Sequence, residues 1–559
     1  MSLAGRPAVL DGPVVLDRPA VLDRPAVLDR PAGGTPRAAR HPPDRYGAGP
    51  LWTRIAAPVV TLTVMLWRID GPSYWRDEGA TLAAVRRPFG ALVRMLGNVD
   101  AVHGAYYMII WVVVRLGGTG ELVTRLPSAL AMAAAAAGVG AIGRRLVSPR
   151  AGLFAGLVFA ALPEISWYGQ DARSFALVTA LATAASYLLV RVVDSGGSRR
   201  GWLAVYGLTL ACLGLVNILG LALIPAHGLT VALAARRAAG RPGGAAGRPG
   251  GAAGRPGGAA GRPGGAAGRP GGAAGRSGGR SLAAGWLAAA GAAMAVVSPL
   301  FLLAWEQRGP EGWLKTPGVA ALASLRDLVG PAALATVVLV IIACGVLSSA
   351  AGGRGRIRAD WPAATPALCL PWLLLPPAVL LTGSLIHPVY TLRYVLFVVP
   401  ALALLAGVAL AALGRVAGAI ALALVVLIAL PAQLDVRRPG AHGDNVRMAD
   451  AIVAANRQPG DAVLYGSTGA RNMAAAYPDG LAALRNVALD RPPIPSGTLA
   501  GTYLAEPAVR RRLAGVRRVW VVEARKDAGP LRLRLLHGTG LRLVRSWRTS
   551  DIWLMLYRR

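Results

Sequence analysis

Residues 393–432 read RYVLFVVPALALLAGVALAALGRVAGAIALALVVLIALPA, and after Tyr394 they contain a single charged side chain, that of Arg415. The apolar runs on the two sides of this arginine each approach the ~20 residues that a helix needs to cross a bilayer. A soluble chain of this length would carry many more charged residues than the 16% found here. The stretch therefore predicts two membrane-spanning helices, 393–413 and 415–432.

Similar apolar runs recur along the chain from residue 51, and hydrophobic residues make up 54% of it. The further predicted spans are 51–69, 126–143, 151–166, 174–193, 202–217, 218–235, 283–304, 331–350 and 364–386. The boundary between the fifth and the sixth is expected near Asn217. The predicted fold class is an all-α polytopic membrane protein with about eleven transmembrane helices, the first of them an uncleaved signal anchor.

Arginines between the spans predict the orientation of the chain, whose formal net charge is +33. If the apolar run 105–116 lies along the membrane surface, the arginine clusters share one side: Arg144, Arg145 and Arg150; Arg199 and Arg200; Arg236 and Arg237; Arg354, Arg356 and Arg358; and Arg415. The positive-inside rule makes that side cytoplasmic. We therefore expect a multi-pass plasma-membrane protein with a cytoplasmic amino terminus, whose basic loops face membrane lipids and not nucleic acid.

Two repetitive segments are expected to lack a packed fold. Residues 1–50 repeat Arg-Pro-Ala-Val-Leu-Asp, and proline at every sixth position forbids a stable helix, which predicts a disordered cytoplasmic tail. Residues 236–281 repeat Gly-Arg-Pro-Gly-Gly-Ala-Ala, which predicts a flexible cytoplasmic loop. This loop either touches lipid headgroups or is a neutral expansion in a tolerant position.

The chain changes character after the predicted membrane domain, 51–432. Strand-like runs at 462–465, 518–522, 541–545 and 552–557 alternate with helical stretches near 444–456 and 505–514. The last two strands are expected to form a hairpin around Arg548-Thr549-Ser550. Residues 433–559 are therefore predicted to be a small extracytoplasmic α/β domain, whose role the sequence does not indicate.

Polar side chains gather in the segments predicted to face outside. They are Asp77, Glu78, Asp100, His103, Tyr106 and Tyr107 in the loop 70–125, Asp171 and Arg173 after the third span, and Arg393 and Tyr394 at the start of the tenth. Adjacent carboxylates at a membrane edge are costly unless they are solvated, paired or metal-bound. Structural interpretations of these residues remain open. Asp77 and Glu78 would cap a helix starting near Ala80, and Asp171 and Arg173 would pair locally with helix-end groups in a structural salt bridge. The Arg393 side chain would snorkel from the end of its span to the membrane surface.

These residue types suit the transfer of a sugar from a polyprenyl phosphate. Arginine offers bidentate hydrogen bonds to phosphate, a carboxylate can act as general base toward an acceptor hydroxyl, and aromatic faces can stack on the sugar. Because phosphate is already a competent leaving group, no second carboxylic acid has to protonate the departing oxygen. Neighbouring groups could instead hold a divalent cation, Mg²⁺ or Mn²⁺, with Glu78, Asp100 and His103 as candidate ligands.

Four motifs, in this order, resemble a known family. They are Arg76-Asp77-Glu78, Asp100…His103…Tyr106-Tyr107, Arg125-Leu126-Pro127-Ser128 and Tyr168-Gly169-Gln170-Asp171-Ala172-Arg173-Ser174. Over about residues 50–435 the chain is similar to the actinobacterial mannosyltransferase-like proteins of the C-type glycosyltransferases, which belong with glycosyltransferase family 39, the protein O-mannosyltransferases and the aminoarabinose transferases.

The resemblance implies a lipid-phosphate-sugar donor and an active site that faces the exterior. It also implies Asp77 as catalytic base with Glu78 beside it, and Arg393 at the donor phosphate. The chain departs from the family pattern at His103-Gly104-Ala105, where many relatives have His-Pro-Pro, and at Asp171, where many have Glu. These departures concern the identity of the sugar and the use of a metal.

The predicted function is therefore a membrane glycosyltransferase. It would move a sugar, mannose or another hexose or pentose, from a polyprenyl-phosphate donor to a glycan, lipid or protein acceptor of the cell envelope. The alternative is a transporter or flippase for a lipid-linked saccharide. Transporters tend to place ionisable residues at the bilayer midplane, whereas the predicted spans here are nearly free of charge, which favours chemistry at the outer surface.

Overall fold

The computed structural model describes a large part of the chain, namely residues 50–195, 199–239, 272–307, 316–318, 320–350, 363–477, 479–524 and 531–559. The predicted disordered tail lies outside the described residues except for Pro50, and so does most of the predicted loop 236–281. Helices extend into both ends of that loop, because one helix continues to Ala239 and the next begins at Gly272.

The first two thirds of the described chain are helical. In chain order the helices are α1 (Trp52–Leu66), α2 (Arg76–Val85), α3 (Phe89–Asn98), α4 (Gly104–Gly117), α5 (Glu121–Leu146), α6 (Pro149–Ala161), α7 (Pro163–Gly169), α8 (Phe175–Asp194), α9 (Arg199–Val216), α10 (Leu223–Ala239), α11 (Gly272–Glu306), α12 (Ala320–Ala323), α13 (Ala332–Ala350), α14 (Ala364–Gly383), α15 (Val399–Ala412) and α16 (Arg415–Asp435). Asn217 separates α9 from the 3-10 turn Ile218–Ala222, at the predicted boundary, and its side chain accepts a hydrogen bond from the Leu219 amide.

Among the described residues, seven helices are long and apolar enough to cross a membrane, or nine if each of two bent pairs counts as one span. One bent pair is α6 and α7, which meet at 68°. Pro163 explains this bend, since the residue before a proline disfavours helical backbone and α6 ends just before it. The polytopic all-α class is confirmed, and the chain is a multi-pass membrane protein. The count of eleven, which would add the helices α1 and α9, stays a prediction.

Helix α15 lies at the centre of the bundle. In the helical span Leu392–Ala412, which contains α15, 94% of the most apolar stretch is buried inside the protein. Helix α15 packs closely on α6 through Gly407, where a Cβ atom would lie 2.3 Å from the Ala155 amide nitrogen. Membrane helices lack a hydrophobic driving force for association, so their packing depends on van der Waals contact. Small residues such as glycine allow the two helix backbones to come this close. The arrangement places Arg393, in the 3-10 turn Leu392–Val398 that leads into α15, at one end of the bundle core.

Helix α4 contains the apolar run 105–116, which was predicted to lie on the membrane surface. Trp111 Nε1 and Arg115 Nη2 both donate to the Arg87 carbonyl, at 2.9 and 2.8 Å. These bonds tie α4 to the turn between α2 and α3, within the loop 70–125. They support a surface position for α4, which stays a prediction.

A mixed sheet forms the core of the C-terminal region. Its strands and helices are α17 (Val446–Asn456), β1 (Ala462–Tyr465), α18 (Thr468–Met473), β2 (Arg485–Asn486), β3 (Leu489–Arg491), α19 (Pro493–Ser496), β4 (Thr502–Tyr503), α20 (Glu506–Ala514), β5 (Arg518–Ala524), α21 (Leu531–Leu536), β6 (Arg542–Thr549) and β7 (Ile552–Arg558). The strand order is β2-β1-β5-β7-β6, with β1 parallel to β2 and β5, and β7 antiparallel to β5 and β6. The α/β class of this region agrees with the sequence prediction.

The hairpin between β6 and β7 turns slightly later than predicted. Thr549 pairs with Ile552, so the turn residues are Ser550 and Asp551. Ser550 adopts a left-handed φ of 51°, as hairpin turns of this length require.

The C-terminal region packs on the loop that follows α1. Helix α18 lies against α2 so closely that a Cβ atom on Gly79 would come within 2.4 Å of the Asn472 carbonyl oxygen. The loop 70–125 and the C-terminal region therefore occupy the same end of the helix bundle. The sequence analysis likewise predicted both segments on one side of the membrane. Which side of the membrane this end faces stays a prediction.

Candidate active site

Two adjacent acids lie in the first turn of α2, and they point in different directions. The helix begins at Arg76 after an extended Trp75, whose side chain makes no capping hydrogen bond. It starts earlier than the predicted position near Ala80, so Asp77 and Glu78 lie inside its first turn, where the positive end of the helix dipole favours both acids. Each acid contacts a different arginine.

Asp77 forms an ion pair with Arg393, which lies far from it in the sequence. Its Oδ2 lies 2.7 Å from the arginine Nη1, and the side chains are 23% and 17% exposed. The Arg393 guanidinium carbon lies 5.8 Å from the ring centroids of both Trp75 and Phe175, and 5.6 Å from that of Tyr394. Arg393 therefore does not snorkel to solvent; it forms a partly exposed ion pair with Asp77, and aromatic rings surround its guanidinium.

Glu78 is fully buried and forms a bidentate ion pair with Arg125 on α5. Arg125 Nε and Nη2 donate to Glu78 Oε1 and Oε2 at 2.8 and 2.7 Å, and the Ala172 amide also donates to Oε1 at 2.8 Å. Burial would raise the pKa of Glu78, but Arg125 and His442 outweigh it and lower that pKa to about 2. Because neither side chain is exposed, the geometry gives Glu78 a bracing position behind Asp77 and not the second catalytic place expected from sequence.

Asp171 lies beside Glu78, in the turn between α7 and α8. Trp75 Nε1 donates to its Oδ1 at 3.1 Å, while its buried Oδ2 has no hydrogen-bond partner among the described residues. Burial, together with the nearby charge of Glu78, raises the pKa of Asp171 well above its usual value. The predicted structural salt bridge of Asp171 or Arg173 with a helix-end group is not observed in the described part of the chain.

His442, which sequence reasoning did not single out, completes this buried group. Its ring centroid lies 4.5 Å from that of Trp167, and its Nδ1 lies 3.9 Å from Glu78 Oε2. Burial lowers the pKa of His442, which keeps the imidazole neutral near pH 7. One ligand atom from each of Glu78, Asp171 and His442 lies within 4.8 Å of the other two. A metal could be held by these three residues.

The predicted metal ligands Asp100 and His103 lie elsewhere in the described structure and belong to no such group. Asp100 accepts a hydrogen bond from Tyr107 Oη at 2.9 Å, and His103 Nε2 accepts one from Arg173 Nη2 at 3.0 Å. Arg173 also reaches the Asp77 carbonyl at 3.4 Å. These contacts hold the loop 70–125 against the α7–α8 turn, and the bond from Arg173 occupies one of the two nitrogens of His103.

Tyr106 and Tyr394 are the remaining predicted substrate contacts. Tyr106 is buried on α4, and its hydroxyl has no partner among the described residues. Tyr394 packs its ring 6.0 Å from Phe175 beside Arg393. Of the two tyrosines, only Tyr394 contacts the Asp77–Arg393 pair, through its ring beside the Arg393 guanidinium.

The start of α2 is fixed by Asp444, a second residue that the sequence did not reveal. Asp444 Oδ2 accepts from the Arg76 amide at 3.1 Å and from Arg76 Nε at 2.8 Å, and Oδ1 accepts from Nη2 at 3.0 Å. The carboxylate is 2% exposed. Because Arg76 directly precedes Asp77, the C-terminal region determines where the exposed acid is held.

Asp444→Asn should therefore destabilise the protein by about 1.5–3 kcal/mol, the range for hydrogen bonds to charged groups. The amide keeps the shape of the carboxylate but removes its charge from a site that it shares with one arginine. Thermal unfolding of the purified protein in detergent measures the change. Asp435→Asn is the matched control, because its pair with Arg438 is exposed and should contribute about 0–1 kcal/mol. Equal effects of the two substitutions would contradict the bracing role.

Comparison with known proteins adds two similarities. Residues 104–242 match the family described as dolichyl-phosphate-mannose-protein mannosyltransferase. No curated protein matches the chain in sequence. The matched segment begins at the start of α4 and includes Asp171 and Arg173, but not Asp77.

Two solved structures of ArnT from Cupriavidus metallidurans resemble the whole chain. The apo structure has a TM-score of 0.55 and 14% identity, and the match covers 90% of this chain and 97% of that one. The structure bound to undecaprenyl phosphate has a TM-score of 0.54 and 15% identity, with 91% and 98% covered. At such identities the likeness shows the fold alone: a helical membrane bundle with a C-terminal region, as the sequence predicted.

Proposed function

We propose that this protein is a membrane glycosyltransferase that moves a sugar from a polyprenyl phosphate to an acceptor on the outer face of the plasma membrane, with Asp77 as general base. The observation that carries the proposal is the Asp77–Arg393 pair, 2.7 Å apart and partly exposed. It joins a carboxylate base to a phosphate-binding cation at the end of a bundle that has the ArnT fold.

The donor phosphate would bind where the arginine now meets the acid. A phosphate oxygen competes with the Asp77 carboxylate for Arg393, because both are anionic acceptors of the same guanidinium. Engagement of the phosphate frees Asp77 Oδ2 to accept a proton. In this way, donor binding prepares the base for the acceptor hydroxyl.

In the transfer step, the acceptor oxygen forms a bond to the anomeric carbon while the bond from that carbon to the phosphate oxygen breaks. The acceptor proton passes to Asp77, and the electron pair of the broken bond leaves on the polyprenyl phosphate. Arg393 offsets the charge that develops on the departing phosphate. The rings of Trp75, Phe175 and Tyr394 around that arginine offer faces on which the sugar can stack.

The comparisons support the donor class of this proposal. ArnT has been solved with undecaprenyl phosphate, and the matching family is described by a dolichyl-phosphate-mannose donor. We propose mannose, or another hexose or pentose, as the sugar, and a cell-envelope glycan, lipid or protein as acceptor. The proposed orientation places the amino terminus in the cytoplasm and the loop 70–125 outside, next to the C-terminal region.

A reconstitution assay tests the proposal. The purified full-length chain is placed in lipid nanodiscs with radiolabelled polyprenyl-phosphate mannose and a cell-envelope extract, and label in the acceptor fraction is measured. We expect transfer from this donor or from a panel of other polyprenyl-phosphate hexoses and pentoses. In parallel, vesicles report movement of the labelled lipid across the bilayer. If the labelled lipid crossed the bilayer but no sugar were transferred, the proposed transferase function would be rejected in favour of a lipid-linked saccharide transporter.

Arg393→Gln should lower kcat/KM for the donor by ~10–100-fold, mainly through a higher KM. This range corresponds to the loss of a hydrogen-bonded charge at the phosphate. Initial rates over a donor concentration series measure the effect. Arg438→Gln is the control, because that arginine lies at the same end of the bundle but is exposed, and within the described residues its ion pair is with Asp435. An unchanged KM in the Arg393 variant would remove this residue from the donor site.

A further inference from the structure

We propose that Glu78, Asp171 and His442 bind one zinc ion, which fastens the C-terminal region to the outer loop. One ligand atom of each residue lies within 4.8 Å of the others, and all three residues are buried. Two carboxylates and an imidazole form a ligand set that zinc accepts. The site is distinct from the Asp77–Arg393 pair and does not depend on the proposed transfer reaction.

Unpartnered buried atoms point to a ligand at this position. Among the described residues, both ring nitrogens of His442 and the Oδ2 atom of Asp171 are buried without a hydrogen-bond partner. The distance of 3.9 Å from His442 Nδ1 to Glu78 Oε2 is too long for a hydrogen bond. Buried polar atoms are almost always satisfied in native proteins, so Asp171 Oδ2 and one imidazole nitrogen call for a partner, which a single ion can supply.

Charge at the site favours a cation as that partner. Arg125 already engages both oxygens of Glu78, and no ion pair links Asp171 to an arginine or lysine in the described part of the chain. Asp171 thus contributes a buried carboxylate that lacks a paired cation. Glu78 Oε2 accepts one bond, from Arg125, and an oxygen of this type can accept another ligand.

The imidazole distinguishes zinc from the Mg²⁺ or Mn²⁺ that the sequence suggested. Magnesium prefers oxygen ligands and retains several waters, whereas a mixed nitrogen and oxygen set suits zinc. Three protein ligands leave a fourth tetrahedral position for water.

A cavity lies next to the site. It has a volume of about 680 Å³ and is lined by Trp167 and Ala441, among others. Trp167 packs its ring on that of His442, and Ala441 directly precedes His442 in the chain. These two residues separate the cavity from the buried imidazole.

The three ligands come from segments that are far apart in sequence. Glu78 belongs to α2, Asp171 to the turn between α7 and α8, and His442 to the segment between α16 and α17. A ligand that binds only the assembled state stabilises it by mass action. Zinc would thus fasten three segments at one point, and its removal should loosen the C-terminal region first.

The test uses the full-length protein, stripped with a chelator, freed of the chelator and titrated with zinc. We expect about one zinc ion per chain by mass spectrometry of metals, and a higher Tm with zinc than without it. Cobalt substitution gives a second readout, because a tetrahedral cobalt site absorbs visible light. His442→Ala and Asp171→Asn should each weaken zinc binding by at least ~10-fold. His387→Ala should not, because His387 lies between α14 and the 3-10 turn Leu392–Val398 and does not belong to this group of ligands.

Asp171→Asn keeps the shape of the side chain, so it remains informative if His442→Ala fails to fold. Wild-type protein that binds no zinc and shows no change in Tm would overturn the proposal. So would zinc binding that survives in both ligand variants, or that is lost equally in His387→Ala. Because none of these readouts involves sugar transfer, a failure here leaves the proposed enzyme activity to be judged separately.

Discussion

Asp77→Asn should reduce the rate of sugar transfer by ~10²–10⁴-fold while the protein stays folded and still binds the donor. The amide has nearly the shape of the carboxylate, but it cannot take the acceptor proton. The same substitution removes the ion pair that engages Arg393. We therefore expect the KM for the donor to stay the same or to fall, because phosphate no longer competes with a carboxylate for that arginine.

This combination separates Asp77 from Arg393, whose substitution should mainly raise KM. Initial rates give kcat and KM, and equilibrium binding of labelled donor to the variant gives its affinity directly. Asp70→Asn is the control, since Asp70 precedes α2 in the same outer loop and its side chain makes no described contact with the site. A variant at position 77 that retained most of its kcat would remove the proposed base.

The second large effect is on stability. Arg125→Met should destabilise the protein by about 3–5 kcal/mol, because it leaves Glu78 as a buried charge without its ion-pair partner. The methionine side chain fills much of the same volume but donates none of the hydrogen bonds that Arg125 gives to Glu78 and to the Ile69, Pro72 and Ser73 carbonyls. Unfolding of the purified protein in mixed micelles measures the loss.

Two further variants show whether that loss of stability comes from the buried ion pair. Arg145→Met breaks a pair with Asp194 that is partly exposed, and it should change stability by only about 0–1 kcal/mol. The double variant with Glu78→Gln removes both charges and should recover part of the stability lost in Arg125→Met. If Arg125→Met were as mild as Arg145→Met, the buried pair could not be what holds the outer loop on α5.

The membrane fold was predictable because its signal is local. A run such as 415–432 has the length and composition of a span wherever its neighbours lie, and α16 forms there. Four of the seven described C-terminal strands, β1, β5, β6 and β7, were predicted for a similar reason, since a strand-like run marks each of them, whereas the short strands β2, β3 and β4 were not predicted. The bend between α6 and α7 could have been inferred from Pro163, whose effect on the preceding residue is also local.

The site was only partly predictable, because its contacts join positions that are distant in sequence. The residue types at Asp77 and Arg393 suggested chemistry, but their pairing depends on how α15 packs into the bundle. Glu78 resembled a second catalytic acid until the structure placed Arg125 against it. His442 and Asp444 carry no local signal at all, since a histidine and an aspartate after a span are ordinary loop residues.

The segment between α16 and α17 also affects how such proteins can be recombined. This segment and the first turn of α17 bind the membrane domain at several points: the Ser73 amide donates to the Pro439 carbonyl at 2.9 Å, Asp444 holds Arg76, and Arg447 in α17 pairs with Glu121 at 2.7 Å. A chimaera joined directly after the last span would exchange these partners together with the sheet. A functional junction between relatives would have to lie beyond Arg447, so this short segment is inherited with the helices that precede it and not with the domain that follows.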